Sequence, residues 1–203
     1  ILALAYEGTG IKTYIQGLIS AIELGRDTDL VFKFTPAPSQ IPNWQWLSQL
    51  KTSRLNWLFH VLYFVWKQLI LPVSAKVFRA DVVLVSDYVL PAWKTSSLKL
   101  VVMHDAFLWN HPETFGHFWR NYYIRLINAG LSSKAVAITV SNYSRNRLEP
   151  HLPKQIPIEI IYPFTSLKRI DLDLDLNELL KELKLEKGKY IFHAGLIDPR
   201  KDL

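Results

Sequence analysis

Lys99-Leu-Val-Val-Met-His-Asp105 decides the fold. Lys99–Met103 reads as a strand, and His104 and Asp105 follow where it stops. Strands that are apolar throughout are buried on both faces, which points to a parallel sheet covered by helices. Outward from it, Ile1–Tyr6, Leu30–Phe34, Asp81–Ser86, Ala135–Val140, Pro157–Tyr162 and Lys189–Ala194 carry similar β-branched runs. Amphipathic segments alternate with them. Ile11, Tyr14, Ile15, Leu18, Ile19 and Ile22 share one helical face, as do Phe115, Trp119, Tyr122, Leu126 and Ala129. The chain therefore reads as α/β, a doubly wound parallel sheet whose ligands sit beyond the carboxyl ends of the strands.

Leu55–Val73 is the most apolar stretch, but His60, Lys67, Gln68 and Pro72 interrupt the clean run of about 20 residues that a membrane span requires. A long amphipathic or buried helix ending at Pro72 is expected instead. Lys168–Lys187 reads as a linker and a charged helix with a stripe of Leu176, Leu179, Leu180 and Leu183. The expected organisation is one domain over 1–165, then a linker and the start of a second domain over 166–203, with the leucine stripe exposed.

Half of the 203 residues are apolar, enough for a substantial core. Cysteine is absent, which excludes a disulfide scaffold and thiolate metal sites and fits a reducing compartment. The first residue is Ile1, with no signal-peptide pattern behind it, and a chain truncated at both ends is expected. The net charge of +6 is uneven: no acid occurs between Asp29 and Asp81. That stretch holds Lys33, Lys51, Arg54, Lys67, Lys76 and Arg79, interleaved with Trp44, Trp46, Trp57 and Trp66. Cations among indole rings suit an anionic membrane surface; a solvated helix face over an ordinary core carries the same composition. Nucleic acid is disfavoured, because no groove-reading or RNA-recognition signature accompanies the charge.

Four constellations could carry chemistry. Glu7-Gly-Thr-Gly-Ile-Lys-Thr-Tyr14 follows a strand and opens a helix, so Gly8 and Gly10 let the backbone approach a ligand at a helix N-terminus; a tight turn capped by Thr9 is the plainer alternative. His104 and Asp105 can hydrogen-bond a sugar hydroxyl or move a proton. Ser141, where a third strand ends, is a natural N-cap, with Arg145 and Arg147 in the helix it opens. Gly195-Leu-Ile-Asp-Pro-Arg-Lys201 places Arg200 and Lys201 on a short loop after a strand, where a phosphate can be held. His111 and His117 stand at spacings that match no metal motif.

In this order the segments resemble glycosyltransferase family 4, retaining nucleotide-sugar enzymes built from two Rossmann-like domains in the GT-B arrangement. The resemblance runs through Gly8-Thr-Gly-Ile…Tyr14, Trp66-Lys-Gln-Leu-Ile-Leu-Pro72, Ala80-Asp-Val-Val…Asp87-Tyr-Val-Leu-Pro91 and Val102-Met-His-Asp105…His111-Pro-Glu113. It continues through Val140-Ser-Asn-Tyr-Ser-Arg145, Ile160-Ile-Tyr-Pro163 and Gly195-Leu-Ile-Asp-Pro-Arg-Lys-Asp202. It implies a Rossmann-like acceptor-binding domain in the amino-terminal part and a donor-binding domain at the carboxyl end.

By that resemblance, His104 and Lys201 are the catalytic residues, and Gly8, Gly10, Gly195 and Arg200 bind the donor. Asp105, Ser141 and Arg145 contact the acceptor or sugar. The reaction implied is hexose transfer, with retention, from a nucleoside-diphosphate sugar to a lipid-linked or polysaccharide acceptor at the cytoplasmic face of a membrane. No metal or other cofactor is implied. Leu196 stands where the family often has Arg, and the family's paired glutamates would lie beyond Leu203. The chain alone is accordingly expected to be inactive. The alternative is a non-catalytic binding domain or degraded gene product, with peripheral membrane association through Trp44–Val73.

Overall fold

The computed structural model describes residues 10–25, 29–37, 39, 54, 56–131, 134–163 and 176–190. The chain forms two compact units, Ile1–Ser166 and Leu167–Leu203.

In the first unit, α1 spans Gly10–Leu24. The next described helix, α2, runs without a break through Asn56–Val65, a π-helical turn at Trp66–Ile70, and Leu71–Val77. Strands β1 (Val82–Val85), β2 (Leu98–Val102), β3 (Ala135–Thr139) and β4 (Ile158–Ile160) follow. Between β2 and β3 lie a single turn, α3 (Phe107–Asn110), and the long α4 (His117–Leu131). Between β3 and β4 lies α5 (Asn142–Leu148).

The four strands are parallel, in the order β1-β2-β3-β4. The protein is therefore α/β around a parallel sheet. Among the described strands the order advances in one direction, and the reversal of a doubly wound sheet is not among them. The register aligns Val83 with Lys99 and Ala135, and Val85 with Val101 and Ala137. These residues face one side, and most of them join Ile127 and Leu131 of α4 and Leu148 of α5 in the core. On the other side Val82, Leu84 and Leu98 remain partly exposed. Gly130 lets α4 approach the chain after β1: a Cβ there would stand 2.7 Å from Leu90 Cβ and 2.9 Å from its carbonyl oxygen.

Several expectations need correction. Leu30–Phe34 is neither strand nor helix. Phe115 lies before α4, separated from it by Gly116. The second helix continues past Pro72 to Val77. The π turn closes with the Leu71 N–H bonded to Trp66 O, and Pro72 then falls in the first turn of the next segment, where its missing N–H is tolerated. By length and composition alone, Trp57–Val77 is apolar enough to cross a bilayer. In the second unit, α6 spans Leu176–Glu182. Its leucine stripe is only partly exposed: Leu180 is buried, while Leu183 beyond the helix is open. The expected strands Ile1–Tyr6 and Lys189–Ala194 lie outside the described residues, save Lys189 and Tyr190, which are not in a strand.

Candidate functional site

Where parallel strands end, their side chains turn from core to surface, and three such ends meet here. β1 delivers Ser86, Asp87 and Tyr88; β2 delivers Met103, His104 and Asp105; β3 delivers Val140 and Ser141. The ends are tied together. Met103 N donates to Ile138 O (2.8 Å), and Thr139 Oγ1 donates to Met103 O (2.8 Å). Ser141 caps α5 by accepting from Ser144 N at 3.1 Å, as its place in the sequence predicts. Ser144 then donates through Oγ to His104 O (2.9 Å), so the cap also fixes the backbone of the candidate histidine.

The His104 ring is half-buried. Its Nε2 lies 3.3 Å from Ser86 O, and Tyr14 of α1 meets the ring edge-on at 5.1 Å. A carbonyl only accepts, so Nε2 carries the proton in this contact and Nδ1 carries the lone pair of the neutral ring. Burial holds its pKa below the ordinary histidine value. The Ser86 bond and the charges of Asp105 and Asp87 oppose that shift and are the weaker influences. Beside it, exposed Asp105 accepts from Tyr88 Oη (2.7 Å) and Phe107 N (2.9 Å), and its own N–H donates to Tyr88 Oη (3.1 Å). Burial first, and the neighbouring Asp105 charge second, push the Tyr88 hydroxyl far up, so it stays a donor. Both bonds that the Asp105 side chain accepts among the described residues fall on Oδ1.

A second layer holds the loop between β1 and β2. Lys67 Nζ pairs with Asp87 Oδ1 at 2.5 Å, and Tyr63 Oη donates to Asp87 Oδ2 at 2.8 Å. Gln68 grips the loop at two points, donating to Leu90 O (3.1 Å) and accepting from Ala92 N (2.8 Å). From β2, buried Lys99 donates to Pro91 O (2.6 Å) and Trp93 O (2.8 Å), and burial lowers its pKa. Lys67 and Gln68 are adjacent, yet both point inward, and the π turn that contains them keeps both on the core side. Sequence reasoning missed this layer. Its one available signal was the resemblance of Trp66–Pro72 and Asp87–Pro91 to family segments.

The structure brings together His104, Asp105 and Ser141, and adds Tyr14, Tyr88 and Ser144. Arg145 is exposed on α5, and Arg147 lies over the Tyr143 ring at 5.5 Å. A Cβ on Gly10 would meet nothing within 4 Å, so the fold around it imposes no need for glycine. Gly8, Gly195, Arg200 and Lys201 lie outside the described residues. His111 binds Glu113 (3.1 Å) and stacks on Phe107, while His117 binds Asn121 (3.0 Å); neither bond reaches His104. Among the described residues no three His, Asp or Glu side chains converge as a metal site. No protein-family model, curated protein or solved structure matches the chain.

Proposed function

We propose that the first unit is the acceptor-binding part of a retaining GT-B sugar transferase, with the doubly wound, Rossmann-like sheet that such a domain has. It presents a hydroxyl of a lipid-linked or polysaccharide acceptor to a nucleoside-diphosphate hexose at the cytoplasmic face of a membrane. The observation that carries this reading is His104: a half-buried imidazole bonded to Ser86 O at the carboxyl end of a central parallel strand, beside an exposed carboxylate. Sugar hydroxyls both donate and accept. They match a pair in which Nδ1 of His104 and Oδ2 of Asp105 accept, while protonated Tyr88 holds Asp105 in place.

Lys201 and Arg200 are assigned to the donor diphosphate, together with Gly8, Gly10 and Gly195. As the bond to the anomeric carbon breaks, charge grows on the leaving diphosphate. A fixed cation stabilises that state more than the ground state. Ser141 serves as a cap that positions His104 through Ser144, and Arg145 is a candidate for the acceptor's anionic linkage.

The test is titration of the 203-residue chain with a farnesyl-diphosphate-linked hexose, followed by calorimetry. Saturable binding is expected, weakened about tenfold or more by His104→Ala, since one lost charged or buried hydrogen bond is worth about 1.5 kcal/mol. Asp105→Asn should behave alike. Binding unaltered by both substitutions, or no binding at all, would contradict the reading.

A further inference from the structure

Helix α2 mixes Phe59 and Ala75 with two polar side chains on its inner face, while its outer face is apolar. Its inward side buries Lys67 and Gln68, at 6% and 3% exposure. Its outward side leaves Trp57 59%, Val73 61% and Val77 71% exposed, with Val61 and Leu69 nearly half open. These five stand in a row at multiples of four residues. Such a row drifts around an α-helix of 3.6 residues per turn. The wider π turn at Trp66–Ile70 takes up part of that drift, so the same irregularity that turns Lys67 and Gln68 inward keeps the outer row in line. The row is about 30 Å long at 1.5 Å per residue.

We propose that this face docks in the plane of an anionic lipid bilayer. Three observations select lipid. First, a span is excluded by the inner face: Lys67 is paired with Asp87, and Gln68 is bonded to Leu90 and Ala92, so one side of the helix is committed to its own domain. Second, the charges along the helix and just before it are basic, up to Asp81. No acid occurs between Asp29 and Asp81, while exposed Arg54, Lys76 and Arg79 stand near its two ends. That complements anionic headgroups. Third, exposed aromatic rings adjoin the helix: His60 of α2 stacks on Trp119 at 4.5 Å, and Trp119 meets exposed Phe118. Amphipathic rings of this kind favour the headgroup boundary.

The consequence for the site is geometric. Asp87, Leu90 and Ala92 are fastened to α2, so a docked helix holds the loop beside His104 at a fixed height above the headgroups. This step rests on the acceptor reading; the docking face does not.

The experiment is flotation of the full chain with vesicles of phosphatidylglycerol and phosphatidylcholine, with tryptophan quenching by brominated lipid. Binding to anionic vesicles is expected, falling roughly tenfold in Lys76→Glu and in vesicles of phosphatidylcholine alone. Val73→Glu and Val77→Glu, at open positions that leave the fold intact by circular dichroism, should abolish quenching. Binding that is absent at low salt, or indifferent to both Glu substitutions, would overturn the proposal. So would sedimentation showing that the row joins two copies of the chain. No sugar enters this assay, so its failure leaves the acceptor reading standing, and failure of the hexose titration leaves docking standing.

Discussion

The inner and outer faces of α2 depart from the usual rule for a surface helix: the inner face adds buried Lys67 and Gln68 to Phe59 and Ala75, and the outer face is apolar. An ordinary amphipathic helix buries its apolar stripe and solvates its charges. Here Lys67 and Gln68 are inside and Trp57, Val73 and Val77 are outside. The inner face spends its polarity on specificity: each buried donor has a named acceptor in the loop after β1. Among the described residues, the side chains of the outer row stand largely exposed. The same helix thus divides two tasks, fixing the site loop on one side and offering a surface on the other.

The sharpest way to break that comparison is to remove one partner of the inner pair. Lys67→Ala leaves Asp87 beside Tyr63 without its cation, in a place only 21% exposed. A loss of about 3 kcal/mol in urea unfolding is expected, toward the low end for a buried pair. Gly130→Ala comes next. The added Cβ would collide with the Leu90 backbone, so α4 or the loop must shift, at a cost of about 2 kcal/mol. Ser141→Ala removes the cap of α5, with about 1 kcal/mol lost and the His104 carbonyl less firmly held through Ser144. On the outer face, Val73→Glu should change stability by no more than about 0.5 kcal/mol. If Val73→Glu destabilised the fold as much as Lys67→Ala, the division of tasks would collapse.

Acid provides a further contrast. His104 has its folded pKa below the ordinary 6.5, so the unfolded chain binds more protons once pH falls below that value. Stability is therefore full above about 6.5 and declines as pH drops toward the folded pKa. His151 is displaced in the same direction by burial, so His104→Gln should flatten part of the slope and not all of it.

Much of the sheet was legible because β1 to β4 are short, mostly apolar runs enriched in Val and Ile whose neighbours are similar runs. Leu30–Phe34 has the same composition, yet no strand forms there. Strand preference is realised only where a pairing edge and a packing face are supplied. The helix beyond Pro72 was hidden because a proline stops an α-helix but not one that re-forms its first turn after a π turn. Within the site, His104, Asp105 and Ser141 were readable from their place at strand ends. Lys67 and Asp87 were not. They stand 20 residues apart, and their pairing depends on the phase of a π turn that no periodicity announces. Tyr88 was likewise invisible, since its role is to hold Asp105 across two strand ends.

The central claim is that His104 is a neutral hydrogen-bonding group facing a sugar. Nitrogen-15 NMR of the imidazoles in the full chain, titrated with the farnesyl-diphosphate-linked hexose at pH 7, tests it most directly. The account predicts a neutral His104, protonated at Nε2, whose Nδ1 resonance moves as the ligand binds. A His104 that is cationic at pH 7, or unmoved while the ligand saturates the protein, would contradict it.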